Sequence, residues 1–312
     1  MNSEKIILPG GAGLVGQNLV IRLKAAGYSN LVVIDKRAHN LEVLHRLHPD
    51  VTVEAADLAE KGAWTRHFEG AAVVVMLQAH IGSNDYSAFV RDNIDSTRLI
   101  LDEIKANSVP YLVHVSSSVV ESSADDFYTR TKKAQEKLVL ESGLPCPVLR
   151  PTLMFGWFDR KHLGWLSRFM KKAPVFPVPG DGRFMRQPLY VGDLCAIIVS
   201  CIENRVRDGI YNISGLEKVD YIDIIRTIKA AVGARAPIVK IPYGLFHFLL
   251  WLWALFDKKP PFTTQQLAAL TAGDEFEVID WPGIFHVTPT PFKDAVHMTF
   301  CDPTYSNVVL EF

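Results

Sequence analysis

The residues best placed to do chemistry are Tyr128 and Lys132, in Tyr128-Thr129-Arg130-Thr131-Lys132. Residues four apart on a helix share a face. An ammonium held there lowers the pKa of a phenol beside it. Tyr128 can then take a proton from an alcohol as hydride leaves, or return one during reduction. A Tyr-x-x-x-Lys spacing is common by chance and gains weight from its surroundings. Just upstream, the apolar run Tyr111–Val115 ends in Ser116, Ser117 and Ser118. A hydroxyl at the carboxyl end of a buried strand faces the crevice where doubly wound sheets bind ligands. From that position Ser118 is expected to orient the reacting oxygen.

The second set is Gly10, Gly13 and Gly16, in Gly10-Gly11-Ala12-Gly13-Leu14-Val15-Gly16. The turn follows the strand-like run Ile6–Leu8 and opens a helix whose first N–H groups can meet phosphate oxygens. Asp35 closes the next apolar run, nineteen residues after the last glycine. A carboxylate there accepts from adenosine ribose hydroxyls and repels a 2′-phosphate, so NAD is expected over NADP. Lys36 and Arg37 are both able to reach a 2′-phosphate, which keeps NADP open. Asp57 ends another short run, where it either reaches the adenine amino group or caps a helix.

The elements carrying these residues alternate. Ile6–Leu8, Leu31–Ile34, Val51–Val53, Val73–Leu77, Tyr111–Val115 and Pro147–Arg150 are short apolar runs without polar alternation, as strands buried on both faces require. Val15–Ala26, Leu41–Leu47, Ala63–Phe68, Val90–Ala106 and a segment from Lys132 to Glu141 have helical character. The expected fold is α/β: a Rossmann-type doubly wound parallel sheet with a smaller C-terminal substrate-binding lobe. Residues 1–150 would form the dinucleotide-binding part with the catalytic group, and 151–312 mainly the substrate lobe, with segments returning to the sheet.

Bulk properties fit this plan. The chain has 312 residues, 48% hydrophobic and 21% charged, with a net charge of −1. That balance suits an ordinary globular protein and offers no field for nucleic acid or an acidic surface. Four scattered cysteines and ten histidines without metal-ligand spacing argue against a metal centre. No basic region followed by a long apolar stretch opens the chain, so a cytoplasmic location is expected. Gly244–Phe256 is almost wholly Leu, Phe and Trp, and too short to span a bilayer. It reads as a buried or partner-packed helix, with a peripheral membrane contact as the alternative.

Taken in order, these residues resemble the extended short-chain dehydrogenases/reductases, which include NAD-dependent sugar-nucleotide epimerases and dehydratases. The resemblance runs over most of residues 4 to 230. It takes in the glycine turn, Asp35, Asp57, the strand to Ser118, Tyr128, Lys132 and Glu136. It continues through Leu149-Arg150-Pro151 and Gly180-Asp181-Gly182 to Arg186 and Tyr190-Val191-x-Asp193. It implies Tyr128 as acid/base, Lys132 as its activator and a nicotinamide-ribose ligand, and Ser118 as the orienting hydroxyl. Arg186 would grip the diphosphate of a nucleotide sugar. The cofactor set it implies is Gly10, Gly13, Leu14, Val15, Gly16, Asp35, Lys36, Asp57, Leu58, Leu77, Gln78, Ala79, Tyr128, Lys132 and Pro151. A homodimer through the helices at Val90–Ala106 and Tyr128–Glu141 is also implied.

The chain departs from the epimerase pattern. Only nine residues separate Ser118 from Tyr128, and Arg150-Pro151-Thr152-Leu153 lacks the amide usual in Arg-Pro-x-Asn. The tail, with Pro260-Pro261-Phe262 and Thr288-Pro289-Thr290-Pro291, is similar to relatives of the respiratory complex I accessory subunit. Three readings follow: an NAD-dependent epimerase or dehydratase of a nucleotide sugar, a dehydrogenase or reductase of an apolar steroid- or terpenoid-like substrate, and a non-catalytic nucleotide-binding subunit.

Overall fold

A computed structural model of the protein describes residues 2–257, 262–272 and 276–311. Pro260 and Pro261 of the tail motif lie outside the described residues. The first half lays down β1 (Asn2–Pro9), α1 (Leu14–Ala25), β2 (Tyr28–Asp35), α2 (Ala38–Leu47), β3 (Thr52–Ala55) and β4 (Val73–Met76). A 3-10 turn, Ala63–Phe68, precedes β4. Next come α3 (Tyr86–Phe89), a π-helical turn (Val90–Asp95), α4 (Ser96–Ala106), β5 (Leu112–Val115), α5 (Phe127–Glu141) and β6 (Val148–Pro151).

The second half contains β7 (Met154–Phe155), α6 (Leu163–Lys172), β8 (Phe176–Pro179), β9 (Met185–Arg186), β10 (Leu189–Tyr190), α7 (Val191–Asn204) and β11 (Ile210–Ile213). It ends with β12 (Val219–Asp220), α8 (Tyr221–Val232), β13 (Ile238–Ile241), α9 (Tyr243–Phe256), α10 (Thr264–Ala272), α11 (Trp281–Phe285) and α12 (Phe292–Cys301).

Seven strands form one parallel sheet in the order β11-β6-β5-β4-β1-β2-β3. Each strand sends alternate residues to opposite faces. Ile6 and Leu8 join one apolar cluster with α1 and α7, while Ile7 joins another with Ile100 of α4. Burial on both faces is why these strands read as unbroken apolar runs. The chain reverses its direction of winding between β1 and β4, which opens a crevice at their carboxyl ends.

The second half is not a separate body. Residues of α7 pack on α1, and β11 adds itself beside β6, with Ile210 opposite Val148. The larger apolar cluster runs from Ile6 through Ile198 to Ile225, Phe285 and Val296. Three two-stranded sheets, β7 with β10, β9 with β12, and β8 with β13, build the remainder.

Two expectations change. The helix expected over Val90–Ala106 begins instead with the π-turn, which carries the fully buried Asn93. The helix at Gly244–Phe256 forms as α9, but it is not buried: Phe246 is its one buried residue. Its period-less apolar sequence reveals no inward face, so burial was not legible.

Candidate active site

The first turn after β1 sets the frame. Gly10 takes φ of 75°, which a residue with a Cβ rarely adopts, and its N–H bonds the Ile34 carbonyl at 2.8 Å. A Cβ on Gly16 would lie 2.1 Å from the Gly11 carbonyl oxygen, so helix–turn packing itself demands glycine there. Gly13 differs. Its φ of −83° is ordinary, and an added Cβ would meet nothing closer than the Gly10 oxygen at 3.8 Å. Nothing in the protein requires glycine at 13, yet it lines a cavity of about 770 Å³. A bound group approaching the backbone closely supplies the missing reason.

That cavity lies along the carboxyl edge of the sheet. Beyond β2 it meets Asp35, whose Oδ2 accepts from the Ala12 N–H at 3.2 Å and Oδ1 from the Arg37 N–H at 3.1 Å. Burial pushes the Asp35 carboxyl above its usual range, opposed by those N–H groups. Beyond β3 it meets Asp57 and Leu58. Asp57 Oδ1 accepts from the Ala59 N–H at 2.9 Å, and Oδ2 pairs with Arg91 at 2.9 Å. Burial works to raise its pKa, but Ala59 and Arg91 outweigh it and hold the carboxyl below its usual range. Lys36 reaches Asp92 at 2.6 Å.

Beyond β4 lie Leu77, Gln78 and Ala79, all in the lining. Gln78 Nε2 donates to Thr97 Oγ1 at 3.1 Å, and Gln135 Nε2 donates to the same hydroxyl at 3.0 Å. Asn93, in the π-turn, donates to Thr131 on α5 at 3.0 Å and accepts from the His80 N–H at 2.7 Å. It ties the loop after β4 to the helix of Tyr128 and Lys132.

Beyond β5 and β6 the lining holds Ser117, Ser118, Tyr128, Lys132, Pro151, Leu153 and Met154. Asp126 caps α5, accepting from the Thr129 N–H at 2.9 Å, and so fixes the turn that presents Tyr128. Arg150 on β6 clamps the same helix through Glu136, with Nη2 at 2.5 Å and Nε at 3.1 Å, while the Ser116 hydroxyl donates to Glu136 at 2.5 Å.

Of the neighbouring hydroxyls, that of Ser117 acts to lower the Tyr128 pKa. Ser118 lines the cavity as the first residue of a 3-10 turn. Lys132 Nζ donates to Gln135 Oε1 at 2.5 Å and to the Val115 carbonyl at 3.4 Å. Burial pulls Lys132 down to about 7, against the opposing pull of Glu136. Burial raises the Tyr128 phenol, and only Ser117 acts to lower it.

Arg186 stands apart from the cavity lining. It lies on β9, opposite Val219 of β12. The cations in the lining are Lys36, Arg37, Arg160, Lys161 and the buried Lys132. Arg160 and Lys161 come from a loop shaped by Asp159, which accepts from the N–H groups of Lys161, His162 and Gly164 at 3.0, 2.9 and 2.9 Å. Near the end of the described chain, Leu310 and Glu311 also line the cavity, tied to α2 by Asn40 in a reciprocal pair of bonds of 3.0 and 2.8 Å. The residues that sequence reasoning missed are Ser117, Asn93, Gln135, this loop and this tail. Asx-turn chemistry at Asp159 was a usable signal; nothing local marks Leu310 or Glu311. Among the described residues no cluster suited to a metal occurs.

The chain is 24% identical over 281 residues to the mouse sterol-4-alpha-carboxylate 3-dehydrogenase, decarboxylating (Mus musculus), spanning 81% of this chain and 75% of that protein. It is 25% identical over 274 residues to a dTDP-glucose 4,6-dehydratase of Neisseria meningitidis serogroup B, spanning 75% of this chain and 77% of that one. Its fold matches a UDP-glucuronic acid 4-epimerase from Bacillus cereus, solved in complex with NAD. That match has a TM-score of 0.66 and 23% identity, over 76% of this chain and 87% of that one. The model of the NAD dependent epimerase/dehydratase family matches residues 6–214, and the chain belongs to that family.

Proposed function

We propose that this protein uses NAD to interconvert a secondary alcohol and a ketone on a largely apolar substrate. Family membership makes NAD the cofactor. The turn at Gly10–Gly16, the N-terminus of α1 and Asp35 have the character to hold it: an open backbone approach at Gly13, a helix N-terminus with no side-chain cap, and a carboxylate for ribose hydroxyls. When bound, NAD supplies the hydride acceptor.

The protein's part is to hold the substrate oxygen and move its proton. Tyr128, partly buried at the cavity wall and held as the phenol, gives its hydroxyl proton to a carbonyl oxygen during reduction and recovers it from the alcohol during oxidation. Ser117 orients the Tyr128 hydroxyl, and Ser118 offers a second donor from the same wall. Lys132 contributes its positive charge when protonated, and Gln135 holds its Nζ.

The observation carrying the substrate class is the lining beyond the catalytic strands. Ile81, Val119, Leu153, Met154 and Phe276 line it, whereas Arg186 does not. A diphosphate needs cations at its own end of the site. Lys36 and Arg37 follow β2, and Lys161 stands beside Gly82 near that apolar wall, so the apolar side chains, rather than a lack of cations, support this reading. A nucleotide-sugar substrate is the second reading, favoured by the similarity to the dTDP-glucose dehydratase.

The test is product analysis by mass spectrometry with NAD and NADH, using parallel panels of lipophilic hydroxy or keto compounds and of UDP- and dTDP-sugars. A mass change of two hydrogens in the first panel alone is the expected result. Turnover of sugar nucleotides alone would replace the apolar reading with the second one.

A further inference from the structure

The helix α9, Tyr243–Phe256, has fourteen residues, no Asp, Glu, Lys or Arg, and one buried residue, Phe246. Leu245, Phe248, Leu249, Trp251, Trp253 and Leu255 are each between 45% and 61% exposed, and Phe256 is 85% exposed. At about 100° per residue, these seven positions sweep well over a third of the helix circumference. Tyr243 and Leu252 are exposed as well and extend that face. The helix rests on the protein along a narrow line, with Phe246 against Phe262 and α10 behind it.

We propose that α9 docks the protein on an anionic lipid surface, entering one leaflet without crossing it. Three observations select lipid over a protein partner. First, a facing helix or second copy covers a stripe on the order of 100° wide, whereas this apolar face is broader, with the exposed His247 its one polar neighbour on the helix; an enveloping medium covers it. Second, Tyr243, Trp251 and Trp253 are the residue types that settle at the headgroup level. Third, lysines bracket the helix: Lys240, exposed on β13, precedes it, and Lys258 and Lys259 follow it in sequence, set against the single acid Asp257. Cations at both ends and none between suit an apolar rod dipping below anionic headgroups. At roughly 1.5 Å per residue, the rod is too short to cross a bilayer, and among the described residues no helix is long and apolar enough to do so. The docking rests on α9 alone and holds whichever substrate class is correct.

The test is co-sedimentation of the full chain with phosphatidylcholine vesicles, with and without phosphatidylserine, beside two variants. One is the triple variant Trp251→Ser, Trp253→Ser, Phe256→Ser; the other is Lys240→Glu. None of these residues lines the cavity, so unchanged NAD binding certifies folding. The expected result is partitioning of the native chain to phosphatidylserine vesicles. The triple variant should lose about tenfold or more, and Lys240→Glu should lose severalfold on anionic vesicles only. Brominated acyl chains should quench tryptophan emission in the native chain. The proposal is overturned if the native chain stays in the supernatant with both vesicles, if the triple variant binds undiminished, or if binding ignores vesicle charge. Lipid-free self-association that the triple variant abolishes, without vesicle binding, would make a second copy the occupant.

Discussion

Gly13 and Gly16 are the same residue type, three positions apart, and answer to different constraints. Gly16→Ala drives a methyl into the Gly11 carbonyl and should cost stability outright. Gly13→Ala meets no protein atom closer than 3.8 Å. It should leave the melting temperature in place and weaken NAD binding by about tenfold or more, since an added methyl stands where the ligand approaches the backbone. Calorimetry and fluorescence titration of both variants check this pair. Loss of stability in Gly13→Ala, with NAD binding kept, would place the constraint inside the protein.

Lys132 makes a second prediction at this scale. Its folded pKa, about 7, lies below the unfolded lysine value of 10.5. Between those values the unfolded chain binds the extra proton, so this group makes stability rise with pH, by up to ~1.4 kcal/mol per pH unit. Below about 7 both states are protonated and the burial cost is fully present. Urea unfolding of the native chain and of Lys132→Met across that window should show the rise in the first and a flatter profile in the second. Parallel profiles would show that the lysine keeps its proton in the fold. Sequence spacing was enough to place Tyr128 and Lys132 on one face of a helix, because four residues slightly exceed one turn of about 3.6. It was not enough to choose among three consecutive serines, where the local 3-10 turn decides, nor to see that Gln135 takes the lysine.

At the level of elements, α5 depends on the strand beside it. Arg150 on β6 holds Glu136 on α5 through two bonds, and Ser116 at the end of β5 holds the same carboxylate. Glu136 is almost fully buried, so removing its cation strands a charge. Arg150→Met should lower stability by about 3 kcal/mol, and it should lower kcat further by loosening Tyr128. Glu136→Gln with Arg150→Met should recover part of the stability. Denaturant unfolding checks both, and a neutral Arg150→Met would show that β6 and α5 hold together without the clamp.

Elements were legible where burial on both faces wrote an apolar run, as at Val73–Met76 or Leu112–Val115. β11, Ile210–Ile213, was not, since its burial runs from the exposed Ile210 to the buried Ile213 at the sheet edge and its partner β6 makes it a strand. The π-turn also left no trace in the spacing of apolar residues.

Across the whole molecule, one sheet and one apolar cluster unite both halves, and the cavity draws its walls from the ends of β1 to β6, the Asp159 loop and the tail at Glu311. The winding order predicted where that cavity opens, because the reversal between β1 and β4 is a property of topology rather than of any side chain. The tail's return to α2 is a tertiary contact, spanning 271 residues between Asn40 and Glu311, that no local pattern encodes. Arg186 is the opposite case, since its place in a motif pointed to the site while the folded chain sets it on β9, outside the cavity lining.

The proposed function places proton transfer at Tyr128 beside a bound nicotinamide. The most direct measurement follows deuterium from labelled NADH into a turned-over ketone, for the native chain and for Tyr128→Phe, with NAD affinity measured on both. The account predicts label in the product of the native chain, a fall of at least about a hundredfold in Tyr128→Phe, and nearly equal affinity for NAD. Label transfer at the native rate in Tyr128→Phe would contradict it.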